Sequence, residues 1–474
     1  MGNPIYYMDA TDLAAMIRQK ELSAVEVLRV FLDRIEDVNP KINALCALRP
    51  PEELLEAARA CDEKIRGGEP LGPLHGMPLA VKDLALTRGI VTTFGSRIYK
   101  NFIPDQDELF VERLRAAGAI VIGKTNTPEF GAGSHTFNEV YGITRNPYDL
   151  SRTAGGSSGG AAAALASGMV PLADGSDLGG SLRNPAAFCN VVGLRPSPGR
   201  VPAWPATSAW QTLSVEGPMA RTVRDVALLL SVMAGPDSRA PGAMDESGAV
   251  FSGPLERDFN GTRIAWTTDL GRFPVQAQVA ACCRQSLDAF QTMGCRIDEN
   301  QPDVGDAFDA FQTLRAFQFL DLAGDYEKYG ELMKDTVVWN ITKGLGLSAR
   351  DVARAEEARS EFYQRVHAFL KIYEFLLLPT TQVAPFPVEQ EWVREIEGVH
   401  MDTYIDWMAM NCLVTLTGLP AVSVPCGFTG EGLPVGLQIV GRHHRDLDVL
   451  QLAHAFEQIT RFSSNRPAID REAA

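Results

Sequence analysis

The sequence predicts an α/β fold, with a large, mixed, mainly parallel central sheet covered on both faces by helices. Three observations carry this. The 474 residues are 45% hydrophobic and 22% charged, enough to bury a sizeable core. Residues 1–66 are patterned as helices. From residue 67 onward, short apolar runs of strand length alternate with amphipathic stretches of helix length, which implies strands connected through helices.

Ser23-Ala-Val-Glu26 has the form of a capping box, in which a hydroxyl and a carboxylate three residues on satisfy free N–H groups at a helix start. It leads an amphipathic stripe of Val25, Val27, Leu28, Val30, Phe31, Leu32 and Ile35, predicted to end near Pro40. A second helix follows Pro51, over 52–65, and stops at Gly67-Gly68. Residues 77–81 read as a strand, 107–117 as a helix closed by Gly118, and 119–122 as a buried strand. Between Asn146 and Pro205 the composition turns to Gly, Ser and Ala, so loop or closely approached backbone is predicted there. A helix over 222–233 follows, then 235–254, the loosest stretch and a candidate linker. Ile264-Ala-Trp266, a helix over 275–293 and a strand after Gly294 resume the alternation. Strands over 421–425 and 434–440, joined by Thr429-Gly-Glu-Gly-Leu433, precede a closing helix from Leu447. One domain over 1–474 fits this pattern, with a helical part over 1–66, a core over 67–235 and a second half over 236–474.

Lys and Arg total 44 against 59 Asp and Glu, a net charge of −15. Such a chain repels phosphate backbones and anionic lipid, so neither nucleic acid nor a membrane surface is an expected partner. Met1-Gly2-Asn3-Pro4-Ile5-Tyr6 has no basic or apolar leader segment, and Tyr6 stands where a myristoylation signal has Ser or Thr. No apolar run is long enough to span a bilayer. The eight cysteines, none in C-x-x-C spacing, read as buried free thiols. A reduced, cytoplasmic setting is expected.

Two motifs match in letters and fail in context. Gly118-x4-Gly123-Lys124-Thr125 has the form of a phosphate-binding loop, but its variable residues, Ala-Ile-Val-Ile, make a strand whose paired N–H groups cannot curl round an anion. Gly155-x-Ser157-x-Gly159 has the form of a nucleophile elbow, which needs an apolar strand before it; residues 146–154 are polar and turn-rich. The seven histidines include no H-x-x-x-H spacing, and His443-His444 sits in a charged turn. No metal and no other cofactor is expected.

Chemistry concentrates elsewhere. Gly155-Gly-Ser-Ser-Gly-Gly160 places two serines among four glycines, which cannot be packed core, and the alanines after it announce a tightly packed helix. In Gly175-Ser-Asp-Leu-Gly-Gly-Ser-Leu-Arg183 the paired glycines allow a turn whose successive N–H groups point one way. Pro185 suits the first turn of a short helix, so Ser181 is expected near its positive end. A hydroxyl beside converging N–H donors is what acyl transfer requires. Serine also needs a base, and Lys82, at the end of the apolar run Met77-Pro-Leu-Ala-Val81, is a candidate if burial keeps it neutral.

These segments, with Gly123-Lys-Thr-Asn126, the Asn146-Pro147 turn, Gly193-Leu-Arg-Pro-Ser197 and Gly432-Leu-Pro-Val-Gly-Leu-Gln438, closely resemble the amidase signature family of serine hydrolases from about residue 10 to 465. Departures are small: Ser176 stands where Thr is commoner, and Leu182 where Ile is. The resemblance implies the family's fold over 1–474 and its Ser–cis-Ser–Lys triad within 67–235, with Lys82 as base, Ser157 as bridge after a cis peptide, and Ser181 as nucleophile. It implies an oxyanion hole from the N–H groups of Leu178, Gly179, Gly180 and Ser181. Asp177 and Arg183 would steady the nucleophile loop, Ser158 would support the relay, and Gly131, Ala132 and Gly156 would line the cleft. The implied activity is hydrolysis of carbon–nitrogen bonds in amides.

Substrate choice in the family lies outside these motifs. The candidate stretches, 201–213, 308–341 and 383–410, carry Trp204, Trp210, Phe311, Phe317, Trp339, Trp392, Tyr404, Trp407 and Met408. A pocket of that composition favours small-molecule aryl or alkyl amides, anilides or carbamates, with esterase side activity. The alternative is a glutaminase subunit of a tRNA-dependent amidotransferase, which uses the same core. Against it, the C-terminal half has no Tyr-Asp-Gly segment of the kind those subunits carry, and the 308–341 insert is unlike theirs. A homodimer is a candidate state of assembly.

Overall fold

The computed structural model describes residues 4–467 and residue 469. Met1, Gly2 and Asn3, part of the segment that reads as lacking a leader, lie outside the described residues. Helix α1 (Ala10–Gln19) starts on the Asp225 carboxylate, which accepts the Ala10 and Thr11 N–H groups at 2.9 Å. Helix α2 (Ala24–Ile42) opens with the expected capping box between Ser23 and Glu26. It runs past Pro40, because a proline in the last turn removes only one hydrogen bond; left-handed Asn43 ends it instead.

Strand β1 (Leu45–Cys46) and helix α3 (Pro51–Gly67) lead into strand β2 (Pro78–Lys82). Helix α4 (Leu109–Ala116) and strand β3 (Ile120–Thr125) follow. Two small ribbons, β4 (Phe137–Asn138) with β5 (Gly142–Ile143) and β6 (Arg145–Asn146) with β7 (Asp149–Thr153), stand outside the main sheet. Then come helix α5 (Gly159–Ala166), strand β8 (Leu172–Asp177), helix α6 (Arg183–Phe188), and strands β9 (Val192–Arg195) and β10 (Val215–Ala220). Helix α7 (Val223–Met233) closes the core, and the second half begins with strand β11 (Arg263–Trp266), helix α8 (Ala277–Thr292) and strand β12 (Arg296–Glu299). A helical insert holds α9 (Ala307–Gln318), α10 (Ala323–Tyr329), α11 (Asp335–Leu345) and α12 (Ala349–Leu370). Strand β13 (Phe375–Pro379), a ribbon of β14 (Glu395–Ile396) and β15 (Val399–His400), helix α13 (Ala409–Thr417), the hairpin β16 (Ala421–Phe428) and β17 (Pro434–Val440), and helix α14 (Asp446–Thr460) complete the chain.

Eleven strands form one sheet in the order β1-β3-β2-β8-β10-β9-β16-β17-β13-β11-β12. The α/β class and the large mixed sheet are as expected, but the sheet is not mainly parallel. Only β2–β3, β2–β8, β11–β12 and β11–β13 pair in parallel, near the two wings where helices carry the chain across. The centre, from β8 to β17, is antiparallel. Both faces are covered. In β2, Leu79 and Val81 pack into a core with α1, α4 and α7, while Ala80 faces the core of α2, α3 and α5. In the second half α8 and α14 cover one face, and α9, α12 and α13 cover the other.

Residues 235–254 are not a free linker: Ala240 and Phe251 are buried, and a 3-10 turn spans Gly248–Ser252. The Gly123-Lys124-Thr125 segment lies in β3, as its apolar run implies, and Lys124 Nζ is held by the Ala85 carbonyl at 2.5 Å and Thr87 Oγ1 at 2.8 Å. No helix among the described residues is long and apolar enough to cross a membrane.

Candidate active site

Side chains alternate along a strand, so Lys82 leaves β2 on the face of Ala80, the one covered by α5. Helix α5 approaches that closely because its first turn is glycine: a Cβ on Gly160 would lie 2.3 Å from the Asn126 nitrogen. The turn before it, with the cis Gly156–Ser157 peptide expected from the resemblance, delivers Ser157 and Ser158 to the lysine. Lys82 is fully buried, and its Nζ hydrogen-bonds Ser157 Oγ at 2.8 Å, Ser158 Oγ at 2.9 Å and Ser176 Oγ at 2.8 Å. Burial pushes its pKa down to about 8, against the opposing pull of Glu216, Asp174 and Asp177. Ser176, in sequence only a departure from the family pattern, is thus a direct partner of the amine. The elbow-like motif is preceded by a strand after all, but β7 is a polar strand of a side ribbon and not of the main sheet.

Beyond β8 the chain turns sharply through Leu178, Gly179, Gly180 and Ser181, with Gly180 at φ 112°, a conformation that suits glycine. Asp177 organises this turn. Its carboxylate accepts the N–H groups of Gly180 at 2.9 Å and Leu182 at 3.2 Å, and pairs with Arg183 through two bonds of 2.9 Å. Arg195 adds a second guanidinium at 3.2 Å. Burial alone would raise the Asp177 pKa, but the two guanidiniums and the Gly180 N–H bring it well below the usual carboxylate range. The expected Asp177–Arg183 pair is therefore present, within a larger network. Arg183 reaches on to Asn411 Oδ1 at 3.0 Å, Gln438 Oε1 at 2.5 Å and Thr415 Oγ1 at 2.8 Å.

One expected oxyanion donor is corrected. The Gly180 N–H is taken by Asp177, whereas those of Leu178, Gly179 and Ser181 have no protein acceptor among the described residues. The loop with Ser181 is tied to the serine turn through Ser158 N–H donating to the Ser181 carbonyl at 3.2 Å. Ser181 stays partly exposed, and no hydrogen bond joins its hydroxyl to that of Ser157 among the described residues.

Ser157, Ser176 and Ser181 open on one narrow cleft of about 90 Å³, walled by Leu84, Phe130, Leu178, Phe319, Met408 and Arg315. Gly131 also lines it, as expected; a Cβ there would lie 3.5 Å from Ser157 Oγ. Ala132 does not: it is fully buried in a small core with Phe319, Met333, Val337 and Ile341. Gly156 packs against the backbone of Ser134 and His135 and the Thr136 hydroxyl and does not form the wall. Of the aromatic and Met residues expected to shape the pocket, only Met408 lines this cleft; Phe311 backs Gly179, Trp407 is core, and Trp210 is 81% exposed. Arg195, Asn411 and Gln438 stand in segments singled out in the sequence or near them, but nothing in their spacing reveals that Arg195 meets Asp177, or that Asn411 and Gln438 meet Arg183. Arg315 and Phe319 lie in the predicted insert, where composition draws attention to their neighbours instead.

Residues 26–450 match the family model described as Amidase. An acylamidase of Rhodococcus erythropolis is 36% identical over 468 residues, covering 98% of each chain. One of the subunits of the glutamyl-tRNA(Gln) amidotransferase of Carboxydothermus hydrogenoformans is also 36% identical, over 98% of this chain and 100% of that one. Among solved structures, a bacterial aryl acylamidase of the amidase signature enzymes superposes with a TM-score of 0.91 at 30% identity, covering 98% of this chain and 100% of its own.

Proposed function

The chain belongs to the amidase signature family, and from that premise we propose that it hydrolyses aryl or alkyl amides, anilides or carbamates through an acyl-enzyme on Ser181. The observation that carries the reading is the buried Lys82 amine, 2.8 Å from Ser157 Oγ at the floor of the cleft that holds Ser181. Neutral Lys82 takes a proton from Ser157, which takes one from Ser181 as its oxygen attacks the carbonyl carbon. The Ser157–Ser181 contact forms when substrate is bound, since catalytic hydrogen bonds often tighten only in the reacting complex. The free N–H groups of Leu178, Gly179 and Ser181 receive the oxyanion, each such donor contributing about 3 kcal/mol to the transition state. Ser157 then returns a proton to the leaving nitrogen, which departs poorly as an anion, and water cleaves the acyl-enzyme by the reverse relay. Ser158 and Ser176 hold the amine in place.

The apolar walls, Leu84, Phe130, Phe319 and Met408, support an aryl or alkyl substrate, as does the similarity to acylamidases. Eight free cysteines fit a reducing, cytoplasmic setting. Substrate choice is tested with p-nitroacetanilide, small aliphatic amides and aryl carbamates; turnover of polar aliphatic amides alone excludes the apolar pocket. The base is tested with Lys82→Ala, expected to lower kcat on anilides by about 10²- to 10⁴-fold and on activated esters far less. In the wild type the rate should rise with pH through about 8 as Lys82 loses its proton. A profile flat between about pH 5 and 10 removes the lysine from this role.

A second reading, the glutaminase component of a tRNA-dependent amidotransferase, draws on the equal identity to the amidotransferase relative. Glutamine hydrolysis that depends on a co-purifying second protein would bring it forward.

A further inference from the structure

Arg315, on α9, lines the cleft and is only 4% exposed. A guanidinium has five N–H donors and keeps its charge at any ordinary pH. Here Nη2 donates to the Tyr404 hydroxyl at 2.6 Å and Nη1 to Asn340 Oδ1. Asn340 is itself pinned, its Nδ2 donating to the Thr336 carbonyl and the Tyr404 hydroxyl, each at 2.5 Å. The guanidinium also lies over the rings of Phe319, at 4.6 Å, and Tyr404, at 5.3 Å. Its direction is fixed by Phe319 and Asn340 of the insert and by Tyr404 of a loop well beyond it, yet among the described residues no carboxylate lies within ion-pair distance and its remaining donors have no acceptor.

Other buried arginines are compensated. Arg183 and Arg195 share Asp177, and Arg200 has Asp446 and Glu246. Arg221 donates to the main-chain carbonyls of Leu165, Val170 and Met8. A buried charge without a counterion is costly, and at the wall of a reaction cleft the missing partner is a ligand group. The leaving portion of an amide must depart to solvent before water enters, so the buried end of the cleft accommodates the acyl portion, which stays on the enzyme.

We propose that Arg315 determines specificity by selecting amides whose acyl portion ends in a carboxylate, which completes the ion pair that the protein leaves open. This rests on the acyl-transfer reading of Ser181 and names the substrate class for it. The test uses p-nitroanilides in matched pairs, succinic against butyric and glutaric against valeric. The wild type should prefer the acid of at least one pair by about 30-fold or more in kcat/KM, mostly through KM. Arg315→Met should lower that acid-to-neutral ratio by about the same factor, and Arg315→Lys should keep part of it. A wild-type ratio near one in both pairs, or a ratio that Arg315→Met leaves unchanged, overturns the proposal. Calorimetric titration of Ser181→Ala with the same anilides reads the preference without turnover, again as tighter binding of the acid. Should no anilide be hydrolysed and Ser181 escape labelling by a fluorophosphonate, the acyl-transfer reading falls, while the titration still decides the role of Arg315.

Discussion

The Lys82 amine touches three serine hydroxyls and no carboxylate among the described residues, so no direct ion pair offsets its burial, and the more distant Glu216, Asp174 and Asp177 do so only in part. Its folded-state pKa of about 8 lies below the ordinary 10.5, so between these values the unfolded chain binds the extra proton. Stability should therefore rise with pH from about 8 to 10.5, and below that window the protonated amine costs roughly 3 kcal/mol. Lys82→Met removes this cost. In urea unfolding, the advantage of the variant over the wild type should be largest at pH 7 and shrink towards pH 10.5. An equal difference at both ends contradicts the lowered pKa.

At the scale of elements, the turn from β8 to α6 is held by one carboxylate that serves two guanidiniums and two N–H groups. Asp177→Asn leaves Arg183 and Arg195 buried without a counter-charge, with an expected loss of about 3–5 kcal/mol. It should also loosen the Ser181 loop and lower kcat more than it raises KM; a variant of unchanged kcat shows that the turn holds without the charge. Much of this region was legible in the sequence, because Gly155–Gly160 and Gly175–Arg183 carry their chemistry in consecutive residues. The capping box of α2 was equally readable, since its partners lie three residues apart. Ladder direction was legible only where a short link makes β16 and β17 a hairpin: β8, β9 and β10 are buried on both faces almost throughout, so no alternation of polar and apolar residues marks their antiparallel pairing. Nor was the pairing of Arg315 legible with Asn340 and Tyr404, which span the insert and a loop well beyond it.

At the scale of the molecule, the two halves of the chain share one sheet. Strand β9 pairs with β16 through Gly193–Ser423, Leu194–Val422 and Arg195–Ala421, and Asp446 holds Ser197 and Arg200. Expressed apart, residues 1–235 and 236–474 should each be insoluble, since the cut bares sheet edges and unpaired arginines. Co-expression should restore soluble protein and fluorophosphonate labelling at Ser181, and labelling of 1–235 alone would disprove this dependence. The same geometry bears on biosynthesis. Arg183, two residues from Ser181, reaches its final acceptor at Gln438, 255 residues further along the chain. A ribosome makes the loop long before this anchor, so a nascent chain carries an unarmed hydroxyl until β17 has been made and paired.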